Sequence, residues 1–437
     1  MGNSSENVFK NDVSKAFRLE APPDATTTIG GKSYVYFGGD GYLGLQSDPS
    51  MISTACSAAL KYGLGSATSR NCFTAAPVQE VEENAAKFLG TSKAYYTLDE
   101  ANIADLFLLA LSNSFDRAFV DEECYPFWIS RFERLNGMKS SGKSLVQKEL
   151  IPFKHCDHYD FQKKLSSDLN LDERPLLLTD GVFTNSGTIA PLRKYETVLK
   201  EYGESSVLID DSHGLGVLGA NGRGSLEYYN YDLTQVNHTG REVTFDPQKD
   251  ESSFCTDSCD VSSSKKSANL AKESTVTQCR LYMFASLAKA FGGFGVIAAG
   301  SELFVEKLME YNQTCYAVPP NAIAAATAYS LSQVEKLQKR RICLQENVRY
   351  LRSGLKKIGF DVEDSPSPIV VIQMGTVQNM RRIQAELESE RILVSFLPTR
   401  FKDARGAIRI AVFASHTVEM IDMLLTSLKN ALDNKRA

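Results

Sequence analysis

Four short apolar runs constrain this chain more than any other feature: KAYYTL (93–98), RAFVD (117–121), PLLLTDGVF (175–183) and SSVLIDDSHG (205–214). Between and after them, apolar residues recur at helical spacing over 101–112, 159–168 and 192–202. A strand that is apolar along its whole length suits a sheet covered on both faces. Such strands alternating with helices predict an α/β fold with a doubly wound, mainly parallel sheet. Ligands of such sheets sit beyond the carboxyl ends of the strands. The residues that close each strand are therefore the ones to read for chemistry.

The rest of the chain is organised around this core. Residues 1–30 read as an irregular arm, and 32–45 as a short strand and loop turning on glycines. A helix is expected over 49–62, starting at Pro49, then a glycine-serine loop over 63–70. Another is expected over 76–90, with Pro77 early and Gly90 at its end. Residues 235–278 are polar and nearly free of apolar clusters, which reads as a disordered insertion. A strand, a turn carrying Lys289 and a glycine-rich continuation follow over 280–300. Helix fills 302–358, broken at Pro319–Pro320. Strands at 368–374, 392–398 and 407–413, with helices at 376–390 and from 417, close the chain. The expected division is an arm (1–48), a large domain (49–300) and a small C-terminal α+β domain (301–437).

Composition removes several classes of function. Apolar residues make up 43% and charged residues 23% of the 437, as in a soluble protein with a large core. A net charge of −5 argues against nucleic acid as a partner. No apolar run is long enough to span a bilayer, and no basic amphipathic helix points to membrane association. The nine cysteines lack repeated spacing. Cys255 and Cys259 form a lone pair with no second pair to complete a zinc site. Reduced thiols in a cytoplasmic protein are expected. Glu6 stands where an N-myristoylation signal needs Ser or Thr.

Three strand ends carry candidate chemistry. LIDDSHG places Asp210, Asp211 and His213 past one apolar strand, TDGVFTNSG places Asp180 and Thr184 past another, and ASLAKAFGG places Lys289 beside glycines. A lysine there can form an imine with an aldehyde cofactor. An aspartate on a neighbouring strand can keep a pyridinium nitrogen protonated and make the ring an electron sink. His213 can hydrogen-bond a ring hydroxyl. Taken singly, Lys289 reads first as a solvated lysine, and Asp-Asp-Ser-His equally well as a turn or a helix cap. The order of the three is what favours chemistry.

Beyond these residues, YLGL (42–45), YGLGSATSR (62–70), VQEVEENAAKFLG (78–90), DGVFTNSGTIAPL (180–192), DDSHGLGVLGANGRGS (210–225), SLAKAFGGFG (286–295) and AIRIAVFASHT (407–417) occur in a telling order. It resembles that of the α-oxoamine synthases, and the 210–225 segment looks most like the oxononanoate synthase version. The resemblance implies fold type I, pyridoxal 5'-phosphate as cofactor, and condensation of an amino acid with an acyl-CoA with loss of carbon dioxide. It makes Lys289 the imine lysine and proton shuttle, pairs Asp210 with the pyridine nitrogen, and sets His213 on the ring hydroxyl. Ser286 helps anchor the phosphate, Thr184 lies near the ring, and Arg409 clamps the substrate carboxylate. It also implies a homodimer.

Four positions depart from the family pattern. Asp99 and Glu100 stand where a phosphate cup is expected, so they either turn outward or weaken phosphate binding. Tyr125 replaces the histidine that stacks on the ring. Asp40 replaces an asparagine, and Val78 a histidine. An enzyme with a divergent substrate fits this pattern. Two other readings stay open: an aminotransferase or decarboxylase on the same fold, and a partner subunit scaffolding a catalytic homologue. The retained Lys289 opposes the last.

Overall fold

The computed structural model describes residues 17–65, 70, 72–124, 126–137, 139–140, 143–144, 148–170, 172–236, 279–312, 319–397 and 406–433. Tyr125, Cys255 and Cys259, and the expected insertion from residue 237 to 278, lie outside the described residues.

Seven strands form the central sheet: β1 (Lys93–Thr97), β2 (Arg117–Asp121), β3 (Glu149–Phe153), β4 (Pro175–Asp180), β5 (Ser205–Asp210), β6 (Cys279–Ser286) and β7 (Val296–Gly300). Their spatial order is β1-β7-β6-β5-β4-β2-β3. All neighbours pair parallel except β7, which runs antiparallel to both β1 and β6. Every residue of β4 and β5 is buried, as continuous apolar runs require of strands covered on both faces.

Register makes the strand ends level. Asp180 pairs with Asp210, and Asp210 pairs with Phe284. The carboxyl ends of β4, β5 and β6 thus meet at one edge. The chain turns there and returns as β7, with Ser286 opposite Val296. Lys289 lies in that turn and so reaches the same edge. The turn depends on glycine: Gly292 has φ +62°, and a Cβ on it would sit 2.4 Å from the backbone nitrogen of Gln46.

Helices cover the sheet. The helix Glu100–Leu111 buries Ile103, Ala104, Phe107, Leu108 and Leu111. Its N-terminus starts just past the end of β1. The expected helix over 302–358 is three helices, Glu302–Tyr311, Asn321–Ser332 and Val334–Lys357. The second break falls at Gln333, which has no helix-breaking side chain to announce it.

Three elements go beyond the expectations. The helix Phe127–Gly137 buries Trp128, Phe132 and Leu135 on one face. The edge strand β3 carries Pro152, and such strands tolerate proline because one side needs no ladder bond. Within the segment read as an irregular arm, Thr26–Ile29 is a strand, paired antiparallel with Lys32–Tyr36. That hairpin owes its order to a distant partner: Val35 and Tyr36 pair with Ile392 and Leu393.

The C-terminal sheet sets Ile369–Ile372 and Ser395–Leu397 on either side of Ala407–Ala411. Backbone bonds from Phe37 N to Leu393 O and from Ala411 N to Phe37 O, both 2.8 Å, draw the segment after Tyr36 onto this sheet. Asp40 therefore lies beside Arg409, at the centre of Ala407–Ala411.

Candidate active site

A cavity of about 470 Å³ opens at the level edge of the strands, and Lys289, Asp210, His213, Thr184, Asp40 and Glu100 are among the residues that line it. Asp210 closes β5 and is buried. The backbone N–H of Ser212 donates to its Oδ1 at 3.0 Å. Burial raises the Asp210 carboxyl above its ordinary range, opposed by the Lys289 ammonium and the Ser212 hydrogen bonds.

His213 follows on the turn after β5. Its Nδ1 lies 2.6 Å from the Tyr42 hydroxyl, and its Nε2 hydrogen-bonds the Thr184 hydroxyl. Burial, then the nearby Lys289 charge, hold it well below the ordinary imidazole range. The ring is therefore neutral near pH 7, with one nitrogen donating and one accepting.

Arg409 is almost closed off, with a side chain only 7% exposed. Its Nε donates to Thr184 O at 2.9 Å, its Nη1 to Gly39 O at 3.4 Å and its Nη2 to Asp40 Oδ1 at 2.5 Å. Burial alone would raise the Asp40 carboxyl, but the charges beside it, Arg409 above all, bring it down to about 2. Asp40 is ionised throughout the physiological range.

At the phosphate end, neither acid turns away from the cavity; both line it. Asp99 caps its own helix, accepting from Asn102 N at 2.7 Å. Glu100 brings Oε1 within 3.8 Å of Lys289 Nζ. A helix N-terminus that would otherwise favour an anion is thus partly occupied by the chain's own carboxylates.

The remaining expected residues divide. Thr184 lines the cavity. Ser286 is buried at the end of β6, with its Oγ accepting from Ala288 N at 3.4 Å. It is not among the lining side chains. Tyr125 is outside the described residues, while Phe127, two positions on, lines the cavity and stacks on Trp128 with centroids 4.9 Å apart. Val78 is fully buried in the core. Sequence reasoning gave Tyr42 no role, although YLGL was noticed. Its partner His213 is 171 residues away, a separation that no local pattern reports.

A second cluster, Asp121, His155 and Cys156, brings possible metal ligands within 4.8 Å of one another. Its carboxylate is already engaged: Asp121 accepts from Glu123 N, Cys156 N and the Tyr195 hydroxyl, and hydrogen-bonds His155 Nδ1. The cluster braces the ends of β2 and β3.

A lysine amine, a buried carboxylate and a neutral imidazole meeting at the carboxyl edge of a doubly wound sheet define a fold type I, aminotransferase-like α/β protein. The sequence profile described as aminotransferase class I and II matches residues 37–428, and the chain belongs to that family. It is 29% identical to the 8-amino-7-oxononanoate synthase of Methylococcus capsulatus over 421 residues, 95% of this chain and 93% of the relative. It is 26% identical to the serine palmitoyltransferase of Bacteriovorax stolpii, across 95% of this chain and 86% of the other. The solved serine palmitoyltransferase from S. paucimobilis shares the fold, with a TM-score of 0.76 at 21% identity over 96% of this chain and 92% of that one. No helix among the described residues is long and apolar enough to cross a membrane.

Proposed function

We propose that this chain is an α-oxoamine synthase, a pyridoxal 5'-phosphate enzyme that joins an amino acid to the acyl group of an acyl-CoA with loss of carbon dioxide. The observation that carries the reading is the convergence of Lys289, Asp210 and His213 at one strand edge, with Arg409 beside them. The donor set fits the ring end of the cofactor in two respects, an amine for its aldehyde and a buried carboxylate for its ring nitrogen, while both nitrogens of the imidazole are engaged by Tyr42 and Thr184. When bound, the cofactor supplies an electron sink for the carbon next to the substrate's amino group. The Lys289 amine takes and returns the proton at that carbon. Asp210 keeps a proton on the ring nitrogen, because a buried carboxylate gains most from an adjacent cation. His213, its two nitrogens bonded to Tyr42 and Thr184, would fix the Thr184 hydroxyl in the cavity that the ring would enter. Arg409 orients the substrate's acid group.

The same proposal includes a homodimer, a cytoplasmic setting, and the division into an arm, a cofactor-binding domain over 49–300 and a small domain over 301–437. Ser286 and Tyr125 enter it only through the family resemblance, as phosphate and ring-face residues: Ser286 does not line the cavity, and Tyr125 lies outside the described residues. The test is an absorbance band near about 420 nm on adding the cofactor, followed by coenzyme A release with Gly, Ala or Ser and short or long acyl-CoAs. A missing band, or a band retained by Lys289→Ala, refutes the reading. One observation favours the scaffolding alternative: Glu100 lies 3.8 Å from the lysine, where it competes with an anionic cofactor. Co-purification with a second homologous chain and no cofactor binding would establish that alternative.

A further inference from the structure

We infer that His155, Cys156 and Glu123 form a binding site for a divalent transition metal of the zinc class, apart from the cofactor cavity. The three lie just past the carboxyl ends of β2 and β3, and none of them lines that cavity. They offer an imidazole nitrogen, a sulfur and a carboxylate oxygen, the donors that zinc takes. His155 Nε2 is 3.6 Å from Cys156 Sγ and 3.4 Å from Glu123 Oε2. Zinc bonds to such atoms run about 2.0–2.3 Å, so two ligands of a tetrahedral ion stand about 3.3–3.7 Å apart. Both separations fall in that range. The remaining edge, between Glu123 and Cys156, closes by rotation about the glutamate's side-chain torsions. The His155 and Glu123 side chains are 16% and 12% exposed, so an ion can enter from solvent and keep a water as its fourth ligand.

The imidazole is oriented for this task. Its Nδ1 lies 2.9 Å from Asp121 Oδ1. A carboxylate only accepts, so Nδ1 carries the proton and Nε2 is left to face the thiol and Glu123. A carboxylate behind a ligating histidine fixes its tautomer and raises its basicity. Asp121 is held in turn by Glu123 N, Cys156 N and the Tyr195 hydroxyl, so it positions the ring rather than binding the ion. Phe183 packs edge-on against the imidazole, with centroids 4.5 Å apart. A ring nitrogen 3.4 Å from a carboxylate needs a positive charge between them, which a proton or a metal ion supplies. Cys156 has φ +52°, a left-handed conformation that such a side chain rarely adopts and that clusters at ligand sites. Burial, then the Asp121 and Glu123 charges, keeps its thiol protonated; an entering metal ion binds the thiolate and releases that proton to water. The ion would tie the turn after β2 to the start of the helix His158–Asp168, and that turn leads to Phe127 in the cavity wall.

The experiment titrates the full chain with cobalt(II), which reports a sulfur ligand through thiolate-to-metal charge transfer in the near ultraviolet. Cys255→Ser and Cys259→Ser are introduced first, because that pair could bind cobalt as well. One equivalent of cobalt should give the band, and zinc should displace it. Cys156→Ser should abolish the band, and Glu123→Gln should weaken cobalt binding by about tenfold with the band retained. In the unmutated chain, zinc should slow alkylation of Cys156 by about tenfold and EDTA should restore it, a readout that needs no variant to fold. No charge-transfer band, or a band kept at full strength by Cys156→Ser, overturns the inference. So does cobalt binding unchanged in Glu123→Gln, or alkylation of Cys156 indifferent to zinc. Each measurement is made with and without pyridoxal phosphate. A chain that binds cobalt in this way and gives no cofactor band refutes the enzyme reading and leaves the metal site standing.

Discussion

Replacing Glu100 with Gln should tighten cofactor binding, and the size of the effect follows from one distance. Glu100 Oε1 lies 3.8 Å from Lys289 Nζ. Two unit charges at that separation interact by about 4 kcal/mol at an effective dielectric constant of about 20. The Glu100 side chain is 38% exposed and that of Lys289 18%, so solvent screening leaves roughly a third of this, about 1.5 kcal/mol. In Glu100→Gln the amine no longer has to leave an ion pair to react, and a phosphate dianion at the helix N-terminus no longer meets a second anion. Both changes act in the same direction. Asp99, which caps the helix through Asn102 N, stays in place, so the helix start should persist. Titration of the wild-type and variant proteins with pyridoxal phosphate, followed at about 420 nm in low salt, should give a Kd about tenfold lower for the variant. The difference should narrow in about 0.5 M salt. An unchanged Kd, or weaker binding by Glu100→Gln, would refute the idea that this carboxylate opposes the cofactor.

Two further outcomes concern stability. Burial raises the Asp211 carboxyl to about 7, against hydrogen bonds from Ser225 that lower it. The unfolded chain releases that proton near its ordinary value of 3.8. The stability linked to the proton is therefore fully present below about pH 4 and is lost as pH rises through 7, on the order of 4 kcal/mol in all. Asp211→Asn should flatten this slope, gaining most in Tm relative to wild type near pH 8; an equal difference at pH 5 and pH 8 would count against it. Gly187 has φ +71°, and a Cβ there would lie 2.3 Å from Ile369 O. Gly187→Ala should cost about 1–2 kcal/mol in backbone conformation alone and more in the clash, read as a lower urea midpoint. A midpoint within error of wild type would mean that the loop shifts freely.

How much of this molecule could be read beforehand depended on the range of the interactions involved. Strands β4 and β5 were legible because burial on both faces demands a continuous apolar run. The helix Ala76–Leu89 was legible from its early proline and its glycine stop, Gly90, which adopts φ +76°. The edge strand β3 was not, because one side of it needs no partner and tolerates Pro152. The strand Thr26–Ile29 was hidden for the opposite reason: its hairpin is completed by Ile392 and Leu393, which no local window contains.

The site divides along the same line. Asp210, His213 and Lys289 were readable because each closes or follows an apolar run, and a parallel sheet brings such ends to one edge. The sequence by itself thus determined the class of fold and the chemical groups brought to its edge. It left open whether Asp99 and Glu100 face away from the cavity, which partners fix His213, and whether Arg409 stands free. Only the tertiary structure decided these: Tyr42 and Thr184 hold the imidazole, Glu100 approaches the lysine, and Asp40 engages the arginine. The physical reason is that a side chain's charge partner is set by the packing of separate elements in space. Asp40 and Arg409 are 369 residues apart, and they meet because the segment after Tyr36 is hydrogen-bonded onto the C-terminal sheet.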